Sequence, residues 1–345
     1  MANYLTEEQR VIQAIAEWVG GGLIGDDCAL VSGQTLLTSD SLVEGTHFLR
    51  PLMSLDDIGW KAAAVNLSDV AAMAGRPRYL LVAATVPHDF GLADFRQLFA
   101  GIGDCARAYR TRVAGGDVTH GPCLMLTLTV VGEVHEEGCL KRSGARSGDV
   151  VVVTGDFGAS RAGLWLLQAR QPGGESKLPP DVKATSAARL SVPQALNFCI
   201  ERHVKPKPKL EESWQLVGRT RGAGALMDAS DGLADAIVQI GRASNVGMEI
   251  DTDRIPIHEA TRKVAAEAGV DPLHWALYGG EDYELVACLA QDIWKQWQES
   301  SAGQALPFKE IGRVTEEGDF KLMKDGKAGP ELDLSQSFQH LKTSQ

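Results

Sequence analysis

SLDDIGWKAAAVNLSDVAAMAG, residues Ser54 to Gly75, is the stretch whose reading decides the fold. Ser54 has the short oxygen side chain of an N-cap, and Gly75 supplies a stop. Between them Trp60, Ala62, Ala63, Val65, Leu67, Val70 and Met73 predict a long, mostly apolar helix. Its alanines suit close packing against a sheet. Asn66, Ser68 and Asp69 interrupt that apolar surface. A carboxylate among alanines is costly to bury unless a cation or several donors meet it, so Asp69 is either hydrogen-bonded to the backbone or a metal ligand.

Strands are predicted on the C-terminal side at Tyr79 to Val86 and Leu124 to Glu133, with a helix over residues 92 to 109 between them. On the N-terminal side Thr6 and Gln9 form a capping box for a helix that the glycines at 20 to 22 stop. An extended piece, Leu36 to Ser39, then carries Asp40 at its end. These elements make one α/β unit, residues 1–140, with a mixed sheet. KRSGARSGD, residues 141 to 149, bridges to a second α/β unit, 141–345, which opens on the buried strand VVVVTG and a helix from Ser160 to Gln168. AGALM ending at Asp228, a helix from Gly232 to Ser244, and the alternating YELVACL continue it. QPGGESKLPPDV, residues 171 to 182, reads as a surface loop without chemistry.

The 345 residues are 44% hydrophobic and carry a formal net charge of −11, which suits a core-forming protein and disfavours binding a nucleic acid backbone. The six cysteines form no C-x-x-C pair and read as reduced thiols. The start, MANYLTEEQR, lacks a basic region followed by an apolar one, and no apolar run is long enough to span a membrane. A cytoplasmic, soluble protein is expected.

Several tempting motifs fail. Gly20, Gly22 and Gly25 fit G-x-G-x-x-G but follow a predicted helix, whereas dinucleotide binding requires a preceding strand. Asp156, Phe157 and Gly158 spell D-F-G without a kinase's catalytic loop or lysine strand. No Walker loop and no H-E-x-x-H pair occurs.

What remains is a series of aspartates set beside glycine or serine: Asp27, Asp40, Asp69, Asp117, Asp228 and Asp231. Hard cations such as Mg²⁺ take oxygen ligands, and Mg²⁺ points towards phosphate chemistry. Thr38, Ser39 and Asp40 present three oxygen donors in a row. Asp228 and Asp231 flank a strand-to-helix turn at which Ser230 or Asp231 is the natural N-cap, and such a turn offers carboxylates to metal and N–H groups to phosphate. His47 by itself reads as a structural histidine.

IGDDCAL, TSDSLVEGTHF, GWKAAAVNLSDVAAMAG, AGGDVT, RSGARSGD, DASDGL and GGEDYEL follow the order and approximate spacing of the thiamine-monophosphate kinases, within the aminoimidazole ribonucleotide synthetase superfamily. The resemblance spans residues 25 to 289. It implies ATP-dependent phosphorylation of thiamine monophosphate, several Mg²⁺ ions between two domains, K⁺ as a further candidate cation, and a homodimer in which the N-terminal sheets pair. By position it implies Asp27, Thr38, Ser39, Asp40, Asp69, Asp117, Asp228 and Asp231 as metal ligands. It also implies Gly116, Asp117, Arg142, Ser230 and Phe99 near ATP, and His47, Glu281 and Phe338 at the substrate. At Phe99 some relatives carry tyrosine, whose hydroxyl this chain lacks.

Asp40, Asp69, Asp117 and Asp228 then act in catalysis through metal, with no protein nucleophile. Within the superfamily, aminoimidazole ribonucleotide synthetase is the runner-up, disfavoured by EGTHF and GGEDYEL. A selenophosphate synthetase calls for a reactive Cys before Cys28, and a hydrogenase-maturation relative for a terminal Cys in place of HLKTSQ. A non-catalytic metal- or nucleotide-binding regulator is the alternative of another class.

Overall fold

The computed structural model describes residues 5–169, 193–301, 305–316 and 318–337, so Phe338 and the loop at 171 to 182 lie outside the described residues. Ser54 caps α2 (Leu55–Ala72) as expected, its hydroxyl accepting from the Asp57 N–H at 3.3 Å. Beyond its last turn the Gly75 N–H donates to Val70 O. Ahead of it, α1 (Glu7–Val19) carries the capping box of Thr6 and Gln9 and ends at left-handed Gly20.

The N-terminal sheet contains β1 (Ala29–Val31), β2 (Thr35–Val43), β3 (Arg76–Val86), β4 (Arg112–His120) and β5 (Met125–Glu133) in the order β1-β2-β5-β3-β4. The β3–β4 pair is parallel and the others antiparallel, so the sheet is mixed. Alternate residues of β5, Leu126, Leu128 and Val130, are fully buried, as expected for a strand with one face on the core. Over that face lie α2 and α3 (Leu92–Ala108), in close contact. A Cβ at Gly59 would stand 2.1 Å from Leu98 O, and one at Gly101 1.9 Å from Asp56 O, so glycine sets the approach of the two helices.

One expectation is corrected here. Asp40 does not end its strand: β2 pairs with β5 from Thr35 through Val43, and Asp40 sits mid-strand opposite Leu128. The polar TSDS run continues because Ser39 and Ser41 meet Thr129 and Thr127 across the strands at 3.0 and 2.7 Å.

The second sheet comprises β6 (Val150–Thr154), β7 (Ala225–Asp228), β8 (Gly247–Asp251), β9 (Leu285–Leu289), β10 (Phe308–Thr315), β11 (Phe320–Lys324) and β12 (Lys327–Glu331), ordered β12-β11-β8-β10-β6-β9-β7. Val150 to Val153 are all buried because helices cover both faces. Val151 and Val153 face a layer with α7 (Leu233–Ser244) and α9 (Pro272–Tyr278), while Val150 and Val152 face Leu216 of α6 (Leu210–Thr220) and Trp294 of α10 (Gln291–Ser300). A further helical layer of α4 (Ala159–Ala169), α5 (Pro193–Val204) and α8 (Glu259–Ala268) packs on α9. Edge strand β7 abuts α2, which sets the end of the second sheet against the long helix of the first unit.

Candidate active site

Three carboxylates converge where β7 meets α2. Asp27 comes from the turn before β1, Asp69 from α2, and Asp228 from the last residue of β7, with one oxygen of each within 4.8 Å of the others. Thr38 Oγ1 donates to Asp69 Oδ2 at 2.5 Å, and Ser68 Oγ donates to Asp228 Oδ2 at 2.5 Å across the domains. Asp40 joins them on β2, where its N–H donates to Asn66 Oδ1 at 2.9 Å. Burial first, then the negative charge of Asp40, Asp228 and Asp27, pushes the Asp69 carboxyl well above its ordinary range. Burial and Asp27 likewise push Asp228 up to about 7, against the opposing pull of Ser68 and Arg142. Carboxylates forced together in this way accept a proton or a cation.

The cation present is Arg142. Its Nη2 lies 2.7 Å from Asp27 Oδ1, its Nη1 donates to Gln239 Oε1 at 2.7 Å, and its N–H donates to Asp26 Oδ1 at 2.9 Å. Burial and then Asp235 raise the Asp231 carboxyl well above its usual range. Asp235 in turn accepts from Gln9 of α1 at 2.9 Å.

Asp27, Thr38, Asp40, Asp69, Arg142, Asp231 and Asp235 line one cavity of about 670 Å³ between the domains. His47, His203, Glu281 and Tyr283 line the same cavity. His47 Nδ1 accepts from the Val43 N–H at 3.0 Å, which assigns its proton to Nε2. Glu281 has left-handed φ of 58° and donates its N–H to Ser230 O at 2.6 Å. Burial opposes its charge, but Lys61 Nζ at 2.6 Å and then His203 pull the carboxyl below its usual range.

The cavity thus brings together Asp27, Thr38, Ser39, Asp40, His47, Asp69, Arg142, Ser230, Asp231 and Glu281, with Asp228 in the adjoining cluster. Ser39 stands apart in orientation: its hydroxyl turns to the opposite face of β2 and donates to Leu128 O. Ser230 and Asp231 do not cap α7. Gly232 is the N-cap, with φ of 113° and space for no Cβ beside Leu277 O, which leaves the two preceding side chains at the cavity.

Asp117 and Gly116 lie elsewhere, on exposed edge strand β4. Two strands, β5 and β3, separate β4 from β2, so roughly 14 Å of sheet at about 4.8 Å per strand divides Asp117 from Asp40. Phe99 packs on Phe95 in the N-terminal core, away from the cavity lining.

Sequence reading missed Lys61, Ser68, His203 and Asp235. Lys61, a lone cation in the alanine-rich GWKAAAVN, was the most legible of them, since a lysine surrounded by core residues needs a counter-charge.

Two family models match the chain: "AIR synthase related protein, N-terminal domain" over residues 25–134, and "AIR synthase related protein, C-terminal domain" over residues 146–325. The thiamine-monophosphate kinase of Bacillus subtilis is 35% identical over 308 residues, 87% of each chain. The crystal structure of thiamine monophosphate kinase from Aquifex aeolicus matches with a TM-score of 0.75 and 31% identity, covering 94% of this chain and 99% of that one. A structure of AaThiL complexed with AMPPCP and TMP matches with a TM-score of 0.77 and 30% identity, over 93% and 95%. Aspartates gathered from two AIR synthase related domains, together with identity sustained over most of the length, make this chain a member of the thiamine-monophosphate kinase family.

Proposed function

We propose that this protein transfers the γ-phosphoryl group of ATP to the phosphate of thiamine monophosphate, giving thiamine diphosphate by direct in-line attack. The observation that carries this reading is the convergence of Asp27, Asp69 and Asp228 in an inter-domain cavity that also holds Arg142 and Glu281. The relative solved with AMPPCP and TMP supports the choice of substrates.

Mg²⁺ fits this donor set: all-oxygen, half-buried to buried, and with Asp69 and Asp228 raised by burial and crowding. Asp27, Asp69 and Asp228 are its proposed ligands in the cluster, with Asp40, Asp231 and Thr38 beside them, Ser39 included through the resemblance alone because its hydroxyl faces away, and Asp117 brought by a second copy of the chain. When bound, Mg²⁺ supplies charge that neutralises and aligns phosphate oxygens. Arg142 offers a forked cation to the nucleotide phosphates, and Ser230 sits on the same wall. The acceptor phosphate, with a second pKa of about 6, is largely a dianion at neutral pH and needs no protein base. Cys28, the nearest thiol, is 2% exposed and pushed up by burial and by Asp69, outside the range of a nucleophile. His47 and Glu281 hold the organic part of the acceptor. Phe338 belongs to this reading through the resemblance alone.

The homodimer is proposed through the open face of the N-terminal sheet, where Tyr79 and Leu81 are 47% and 42% exposed. That pairing accounts for Gly116 and Asp117 as contacts made in the partner's site. Phe99 near the nucleotide, K⁺ as an activating cation, and the division of the chain at residue 140 complete the reading. The described cysteines are all unpaired thiols, four of them buried, which supports a reducing cytoplasmic location, and no described helix is long and apolar enough to cross a membrane.

The test is formation of ADP and thiamine diphosphate with ATP and Mg²⁺, offered thiamine monophosphate, free thiamine or formylglycinamidine ribonucleotide, with K⁺ exchanged for Na⁺ in parallel. Turnover with thiamine monophosphate alone is expected. Turnover with the ribonucleotide moves the assignment to the synthetase, and silence with all three favours a binding protein. Chiral γ-phosphate must emerge inverted; retention rules out direct transfer.

A further inference from the structure

Lys61 belongs to the helix at the centre of the N-terminal unit, yet its charge serves the other unit. Its side chain is 1% exposed, and Nζ lies 2.6 Å from Glu281 Oε1. Among the described residues no acceptor completes good hydrogen-bond geometry around the ammonium, so pairing with Glu281 is what offsets its burial. Glu281 lines the cavity and Lys61 does not, which puts the ammonium behind the carboxylate, away from any ligand.

The contact of Glu281 with His203 does not replace that cation. Oε2 stands 3.5 Å from His203 Nδ1, which is also 3.0 Å from Ser160 Oγ. Burial and then the Lys61 charge take His203 down to about 3, so the imidazole is neutral. The backbone of Glu281 is pinned in the left-handed region by its bond to Ser230, but the side chain's direction depends on Lys61. The ion pair therefore spans the domain boundary: α2 decides where a carboxylate of the GGED turn points.

We propose that Lys61 is a positioning residue for the phosphate acceptor: by locking Glu281 into the cavity wall it sets the affinity for thiamine monophosphate, and it leaves the affinity for ATP unchanged. This rests on the reading of Glu281 as an acceptor contact. A fixed carboxylate recognises N–H donors at the polar edge of the acceptor's ring, and a mobile one loses that geometry before it loses charge.

The test is a double-mutant cycle with Lys61→Gln, Glu281→Gln and the double variant, reading kcat, KM for thiamine monophosphate and KM for ATP. Lys61→Gln is expected to raise KM for thiamine monophosphate about tenfold, with kcat and KM for ATP within about twofold. The double variant carries no lone buried charge and folds even where Lys61→Gln does not. Its KM is expected to equal that of Glu281→Gln alone. Additive losses, or a fall in kcat as large as the rise in KM, overturn the proposal. Should Glu281→Gln keep the wild-type KM, Glu281 is no acceptor contact and the proposal falls with that reading. Should Glu281→Gln raise KM while Lys61→Gln does not, only the role of Lys61 is lost.

Discussion

The guanidinium of Arg142 lies 2.7 Å from Asp27 Oδ1, and Asp27 is at the same time one of three carboxylates within 4.8 Å of one another. Among the described residues, the fixed cation paired with the cluster is therefore bound to a residue that the proposed metal also uses.

Removing that cation strands a buried carboxylate. Arg142→Ala is expected to lower the stability of metal-free protein by about 3 kcal/mol, the usual cost of breaking a buried pair. Mg²⁺ is expected to recover more stability in the variant than in the wild type. Thermal unfolding in EDTA and in Mg²⁺ checks this; an equal gain in both chains contradicts it.

The crowded acids give the metal-free protein a pH signature. The Asp228 carboxyl is raised from 3.8 to about 7 in the fold, and Asp69 is raised in the same direction. In that window the native state binds more protons than the unfolded chain, so these groups oppose folding increasingly as pH rises from about 4 to about 7. Asp228→Asn is expected to remove its share of that fall. Urea unfolding in EDTA across the window measures it, and parallel profiles for wild type and variant would refute the assignment.

Turnover should separate ligands from neighbours. Asp69→Asn and Asp228→Asn are expected to fold and to lose at least about a thousandfold in kcat, the scale of removing charge stabilisation at a phosphoryl centre. Asp26→Asn removes only the charge of the group that accepts from the Arg142 N–H, leaving an amide oxygen in its place. It is expected to cost less than about tenfold. Similar, mild losses in all three undo the metal assignment.

Asp117 is expected to act in trans, because three strand spacings of sheet divide it from Asp40 in its own chain. Asp117→Asn and Asp69→Asn proteins should each be inactive. Co-refolded in equal amounts, they should recover about a quarter of wild-type turnover, since about half the dimers are mixed and each mixed dimer keeps one intact site. No recovery on mixing speaks against a shared site.

The helices that carry this architecture were legible because local chemistry starts and stops them: Thr6 and Gln9 for α1, Ser54 and Gly75 for α2. Asp40 was misplaced at a strand end because hydroxyl pairs with the neighbouring strand, invisible in one segment, carry β2 past it. The cap of α7 was misread because a tight approach to Leu277 O selects Gly232 over the better side-chain caps before it. Within the site, acidic residues beside glycine and serine pointed to Asp27, Asp69 and Asp228. Arg142 was placed by the resemblance, but its pairing with Asp27, and that of Lys61 with Glu281, was not legible, since a basic residue in a linker and one in a helix acquire these partners only through docking of the two units.

The hydrogen bond from Ser68 to Asp228 joins residues 160 positions apart, and Glu281 reaches Lys61 from farther along still. During synthesis Asp27, Asp40 and Asp69 are made first, but the pocket has no second wall until the chain has been made past Glu281. The first unit alone thus holds half a binding site, with Asp27 lacking Arg142 and Lys61 lacking Glu281, and the finished enzyme comes into being only when its last third arrives.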